Sequence, residues 1–548
     1  MNIKSRAFSF VAIATAALLA APTSSSIADQ HEGPDSRGGS GASAPRLPLG
    51  APGLPEQRSE QTLQPGVTLT TIVRGELDGT EFWTVEMAVP SGGTDPDPDA
   101  PATSLRDEAS ARQLADALVA QGFPARAEEV LTPRMADYAG GLLGWRVRVG
   151  QFGTQAEADA QRSALVAAGY TASSLFTGWD GEDSDDSGPW VVQALTIDPR
   201  EFRGALDLSF GPDIEQRETT TALANAVGAK AGVNAGYFVL DPNNGAPGDP
   251  AGVGVYEGRL LSETVGSRPG LVIRDDARNT SVERLTWSGY VGRGRSKLPL
   301  DGVNRKPGLI RNCGGSGDQP TDLPRHDFTC TDDSELILVT SEYGVLTPSG
   351  PGTEVVLDHR DRVVAVNSAR GVALPPGGSS IQATGNLASA LVAVTEVGLR
   401  LHVRAWLETV NGHRVSSSWR ESIVNGGPEL VRHGRVRVTV DRDGFIRADD
   451  PSWYYGFGHK RNPRTFAGVD GQGRTMLVTS DGRDLDSFGL SLAETGSVAR
   501  SLGMVEAMNL DGGGSTTLVV DGSVANDPSD TAGERPVGDA LLILSSRG

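Results

Sequence analysis

The residues with the clearest chemical purpose are Asn509-Leu510-Asp511-Gly512-Gly513-Gly514-Ser515-Thr516-Thr517, set just before the strand-like run Leu518-Val519-Val520. Three successive glycines permit positive φ and leave backbone N–H groups uncovered. Asp511, Gly512, Gly513, Ser515 and Thr516 can therefore surround a concave, anion-sized site. A tight turn between strands is the plainer reading, but it needs only one or two glycines and no flanking Asn, Asp and hydroxyl cluster. Asp481, preceding Gly482 after Leu477-Val478-Thr479-Ser480, offers a second carboxylate at a strand end, although an ordinary Asp-Gly turn fits it equally well. Arg464, in Asn462-Pro463-Arg464-Thr465, adds a guanidinium whose fork matches two phosphate oxygens, on a loop whose approach Pro463 fixes. Asn234 with Gly236, Asn425 with Gly426, and the pair Thr465 and Asn509 are expected to line the same pocket as binding residues. Tyr237 and Phe238 suit packing beneath it, and His459 is a secondary candidate. Arg464, Asp481 and Asp511 thus combine a cation for an anionic group with carboxylates able to attack or to activate water.

The elements that must hold these residues lie in a chain of 548 residues, enough for two or three domains. A formal charge of -20 argues against a nucleic-acid partner. Lys4 and Arg6 precede the apolar run Phe8 to Ala21, and Ser26-Ile27-Ala28 offers a small-residue cleavage pattern, so residues 1–28 are expected to be an export signal. No later run approaches a membrane span, so the expected location is secreted, either free or held at the cell wall. Two cysteines, Cys313 and Cys330, stand in a Gly/Pro/Asp-rich region and are expected to form one disulfide; with His326 they do not complete a zinc site.

Residues 29–75, rich in Pro, Gly and Ser, are expected to form a disordered tether, and residues 181–189 an acidic linker. Between them, residues 76–180 contain a repeat. Phe82 to Met87 alternates as a strand, Asp107 to Gln121 reads as a helix closed by Gly122, Trp145 to Phe152 as a second strand, and Gln155 to Ala168 as a helix closed by Gly169. Short strands at Arg126 to Leu131 and Ser173 to Thr177 complete two β-α-β halves of a small ferredoxin-like sandwich. Residues 190–548 read as a larger mixed α+β domain with far more strand than helix, including strands at Trp190 to Ile197, Leu336 to Thr340, Leu391 to Val397 and Thr475 to Thr479.

The run Trp145 to Thr154, then Glu157-Ala158, Leu165 and Gly169-Tyr170, resembles the second half of a SPOR domain, a fold that binds peptidoglycan glycan strands lacking stem peptides. The first half departs from it by the insertion Thr94 to Pro101. Gly232 to Phe238, Asn425-Gly426-Gly427-Pro428, Arg461 to Thr465, Asp481-Gly482-Arg483 and Asn509 to Thr517, closing with Asn526 to Ser529 and Arg535-Pro536, occur in the order of the phosphodiester glycosidases, which include N-acetylglucosamine-1-phosphodiester α-N-acetylglucosaminidases. The segment Asn279 to Asp332 departs from that pattern.

The resemblance implies hydrolysis of a sugar linked through its anomeric carbon to a phosphodiester. Arg464 would then hold the phosphate, and Asp481 and Asp511 would act on the sugar side. A phosphate departs as a weak base, so Arg464 can carry much of the work of a general acid. Asp441-Arg442-Asp443-Gly444 lacks the spacing of a calcium loop and reads as a turn. No cofactor motif occurs, and a divalent cation on Asp511 or Asp481 with the substrate phosphate stays open. Two alternatives stay open as well: a phosphodiesterase cutting P–O bonds, and a non-catalytic peptidoglycan-binding protein.

Overall fold

Strands Glu56–Gln64 and Val67–Arg74 form an antiparallel hairpin whose second strand pairs along its whole length with Trp190–Ile197. This corrects the expectation of a disordered tether for residues 45–75. Val67 and Ile72 are fully buried, and Leu47 and Leu49 sit inside the fold. The preceding strand, Glu56–Gln64, buries only Leu63 and is the edge of its sheet, so its polarity, which mimics disorder, is that of a solvated edge. The structure is a computed structural model describing residues 45–89, 103–181, 185–415 and 418–545. The expected export signal, residues 29–44 and the insertion Thr94 to Pro101 lie outside the described residues.

The hairpin opens an eight-stranded antiparallel sheet, continued by Trp190–Ile197, Thr475–Ser480, Arg464–Asp470, Met504–Asn509, Glu429–Arg432 and Arg435–Val436. A five-stranded sheet containing Ala231–Asn234, Leu518–Val520 and Ala540–Leu544 packs on it. Leu195, Leu477, Ala467 and Met508 from one sheet and Val233, Leu518 and Leu541 from the other share a single apolar core. Among the described residues, three further sheets, of seven, five and two strands, are built from residues 254–425. The run Leu391 to Val397 is not a strand: its first half ends the helix Gly385–Val394, where Ala and Leu favour helix over the isolated β-branched residues.

The N-terminal sandwich has the expected order. Strands Trp83–Ala88, Ala125–Thr132, Gly141–Phe152 and Thr171–Phe176 form one sheet, with Gly141–Phe152 and Trp83–Ala88 central. Helices Glu108–Ala120 and Gln155–Ala167 cover one face. Asp107 caps the first by accepting from Ser110 N at 3.0 Å, and Thr154 with Glu157 forms a capping box on the second. The end of the expected acidic linker is packed rather than free. Ser187 is buried, and Asp186 pairs with Arg461, whose buried guanidinium also takes Glu494 at 2.7 Å. Carboxylates offset the cost of withdrawing that cation from water, and this is what draws an acidic segment against the fold.

Candidate active site

Arg464 opens its strand opposite Ser480, and Phe466 pairs with Asn509, so both sequence motifs leave the sheet at the same end. The glycine-rich loop then runs beside Pro463 to Thr465: Leu510 N donates to Thr465 O and Gly513 N to Pro463 O, each at 2.9 Å. Each glycine has its own reason. A Cβ on Gly512 would lie 2.9 Å from Pro463 O and 3.6 Å from Arg464 Cα. Gly513 takes φ 59° to begin the turn Gly513–Ser515. A Cβ on Gly514 would collide with the Arg535–Asp530 ion pair.

A cavity of about 690 Å³, counting its open mouth, lies over this loop. Arg464, Asp511, Gly512, Gly513 and Ser515 line it, as do Tyr237 and Phe457. Arg464 is 1% exposed; its Nε donates to Leu490 O at 3.0 Å, an Nη donates to Phe457 O, and its guanidinium lies 5.0 Å from the Phe457 ring centre. Among the described residues no carboxylate forms an ion pair with it. Burial, reinforced by the neighbouring charge of Arg483, pushes its pKa down to about 10. A buried cation without a counter-charge is a site prepared for an anion. Arg483, Arg535 and Arg311 line the same cavity; Arg535 pairs with Asp530 and Arg311 with Asp327.

Arg311, Asn312, His326 and Asp327 come from the segment that departs from the family pattern. Strands Ile310–Arg311 and Thr329–Cys330 pair, and the disulfide Cys313–Cys330 closes the loop between them, which presents these four residues as one wall. His326 stacks on Phe445 with centroids 4.3 Å apart and meets Tyr237 at 4.2 Å. Burial, then the charge of Arg268, holds it well below the usual imidazole range, so it is neutral. Nothing local in the sequence marks these residues; the cysteine pair shows that the loop is closed, not where it points. Arg483 and Arg535 stand inside recognisable motifs and were readable in principle.

Several expected binding residues are instead the scaffold beneath the cavity. Asn234, fully buried, donates to Asp511 O at 2.8 Å and accepts from Thr465 Oγ1 at 2.6 Å and Thr517 N at 3.1 Å. Asn425 accepts from Tyr237 N at 2.9 Å, close enough that a Cβ on Gly236 would meet its amide at 2.5 Å. Gly426 abuts Asn509 O, and Asn509 donates to Tyr237 Oη at 2.8 Å and Leu510 O at 2.6 Å. Buried loop backbone demands partners, and asparagine serves both donor and acceptor from one side chain. Tyr237 donates in turn to Gly427 O at 2.6 Å, and burial with the charge of Asp511 raises its pKa. Thr516 is buried and outside the lining. The Gly513 N–H is committed to Pro463 O and does not serve a ligand.

Asp481 is the main correction. It does not line the cavity: its Oδ1 accepts from Asn526 Nδ2 at 2.9 Å and Asp527 N at 3.2 Å, and burial pushes its pKa up to about 6. It is a strand-end anchor for the segment after Leu518–Val520. His459 lines a different cavity, with Tyr454 and Glu494. Asp443, in the turn read earlier, holds Arg284 at 2.7 Å. Among the described residues no group of three His, Cys, Asp or Glu is placed to hold a metal ion.

Residues 352–544 match the phosphodiester glycosidase family, and residues 102–175 match the SPOR domain. The chain is 32% identical over 111 residues to the mouse N-acetylglucosamine-1-phosphodiester alpha-N-acetylglucosaminidase and 40% identical over 109 residues to the human enzyme of that name. Each match covers 20% of this chain and 21% of the relative, so the chain spans about a fifth of the length of those enzymes. A solved structure from Burkholderia pseudomallei K96243, described as an exported protein, superposes with a TM-score of 0.81 at 33% identity, covering 91% of this chain and 98% of that one. The matches follow the division seen in the fold: the phosphodiester glycosidase match falls in the C-terminal part and the SPOR match in the sandwich before it.

Proposed function

We propose that the cavity hydrolyses a sugar joined through its anomeric carbon to a phosphodiester, releasing free sugar and a phosphomonoester. The observation that carries this reading is Arg464: a buried guanidinium with no carboxylate partner among the described residues, one loop contact away from Asp511 in the same cavity. Arg464 holds the phosphate and stabilises it as it leaves. Asp511 acts at the anomeric centre, and Asp327 is the second cavity carboxylate available to a two-carboxylate mechanism in place of Asp481. Phe457 and Tyr237 offer flat apolar surface to a sugar ring. The named activity of the mouse and human relatives points to N-acetylglucosamine as the first sugar to test.

Export is part of the proposal. The apolar run Phe8 to Ala21 and a disulfide that closes a cavity wall both suit an oxidising compartment, and no helix of the described residues is long and apolar enough to cross a membrane. The SPOR match supports attachment to wall glycan, which would use the helical side of that sandwich because the sheet face bearing Glu86, Arg146 and Arg148 is buried. A panel of sugar 1-phosphodiesters in ¹⁸O-water tests the chemistry. Label in the released sugar supports it, whereas label in the phosphate identifies a P–O-cleaving phosphodiesterase. Sedimentation with peptidoglycan and no sugar release would leave a binding protein.

A further inference from the structure

The sheet of the SPOR domain carries Val85, Met87, Val147 and Val149 under its helices, and Glu86, Arg146 and Arg148 alternate onto the opposite face. That face is not open. Glu86, Arg146 and Arg148 are at most 5% exposed, because the chain from Pro451 to Lys460 crosses them. Tyr455 Oη donates to Glu86 Oε2 at 2.8 Å, Lys460 Nζ donates to Glu86 Oε1 at 2.8 Å, and Arg146 donates to Tyr455 Oη at 3.2 Å. Arg148 joins Glu86 to Asp180, at 3.0 and 2.5 Å.

The same short segment builds the cavity. Two residues beyond Tyr455, the Phe457 carbonyl accepts from Arg464 and its ring lies under the guanidinium. Asn462, another lining residue, donates to Gly456 O at 3.0 Å and Phe457 O at 3.2 Å. The turn Tyr455–His459 is therefore held on one side by a buried carboxylate of the SPOR sheet and on the other seats the Arg464 guanidinium. A buried, hydrogen-bonded ionic network is costly to disturb at any one member, so its geometry passes to whatever it clamps.

We propose that Glu86 is a positioning residue for Arg464, acting through Tyr455 and the 455–459 turn, so that the SPOR domain forms part of the anion site rather than a detachable module. The kinetic part rests on the function proposed above; the binding part does not. The experiment compares full-length wild type with Tyr455→Phe, which keeps every charge, and Glu86→Gln, which removes the carboxylate and is the variant at greater risk of misfolding. Inorganic phosphate binding by calorimetry, thermal midpoint, and kcat/KM on a sugar phosphodiester and on a neutral aryl glycoside are measured. Phosphate affinity should fall about three- to tenfold in Tyr455→Phe, with matching loss on the diester and little change on the neutral glycoside. Folded variants that bind phosphate as wild type does, or that lose both substrates equally, would overturn the inference, as would absence of phosphate binding by wild type. Weakened phosphate binding in a chain that releases no sugar from any diester would overturn the proposed reaction and leave this inference standing.

Discussion

Gly512 lies against the backbone of Arg464: a Cβ placed on it would stand 3.6 Å from Arg464 Cα and 2.9 Å from Pro463 O. The two motifs that supply cation and carboxylate therefore share one van der Waals surface although 47 positions separate Arg464 from Asp511. Neither loop can shift without the other. In the proposed reaction, this keeps opposite charges within reach of one substrate.

Gly512→Ala should accordingly damage the site more than the fold. The methyl must displace backbone, at a cost of about 1–3 kcal/mol, and it widens the gap between Asp511 and Arg464. A thermal midpoint a few degrees lower, with kcat/KM on a sugar phosphodiester reduced far beyond the unfolded fraction, is expected. Wild-type kinetics at an unchanged midpoint would show that the close approach does not matter.

Arg464→Ala should cut turnover of a phosphodiester about 10²–10³-fold, the size of effect seen when one preorganised charge is removed from a transition state. An activated neutral aryl glycoside should lose much less, because its leaving group gives the guanidinium nothing to hold. Equal losses on both substrates would place Arg464 in the scaffold.

The cysteine pair should be oxidised in the native protein, and thiol labelling of undenatured material should find no reactive cysteine. Opening a bridge of sequence separation 17 should cost about 3 kcal/mol. Because that bridge closes the wall bearing Arg311 and Asp327, Cys313→Ser/Cys330→Ser should raise KM at temperatures where the protein is still folded.

Placement at the cavity was legible where a motif lines it directly, as with Arg464, Asp511, Gly512, Gly513 and Ser515. It was misread at Asn234, Asn425 and Asn509, because an asparagine that satisfies buried loop backbone and one that touches a ligand have the same sequence signature beside glycine. His326 and Arg311 were invisible for another reason: their placement depends on how a disulfide-closed segment folds across the molecule. The sandwich, with its two capped helices, was readable from periodicity alone, whereas the hairpin 56–74 hid behind the polarity of an edge strand.

The two aspartates at strand ends should separate cleanly under amidation. Asp511→Asn removes the charge facing the cavity and should abolish most turnover while the protein stays folded. Asp481→Asn keeps the oxygen that accepts from Asn526 and Asp527, so activity should survive. Stability should also respond to pH in a specific direction. Burial raises the folded pKa of Asp481 from 3.8 to about 6, so the folded state holds its proton more tightly than the unfolded chain. The stabilisation from that proton is complete below about pH 4 and is lost as pH rises through about 6, amounting to up to about 3 kcal/mol. Asp481→Asn, neutral at every pH, should therefore exceed wild type in urea midpoint at pH 7.5 and approach it at pH 4.5. A variant that is inactive when folded, or a stability difference that does not narrow on acidification, would return Asp481 to the chemistry.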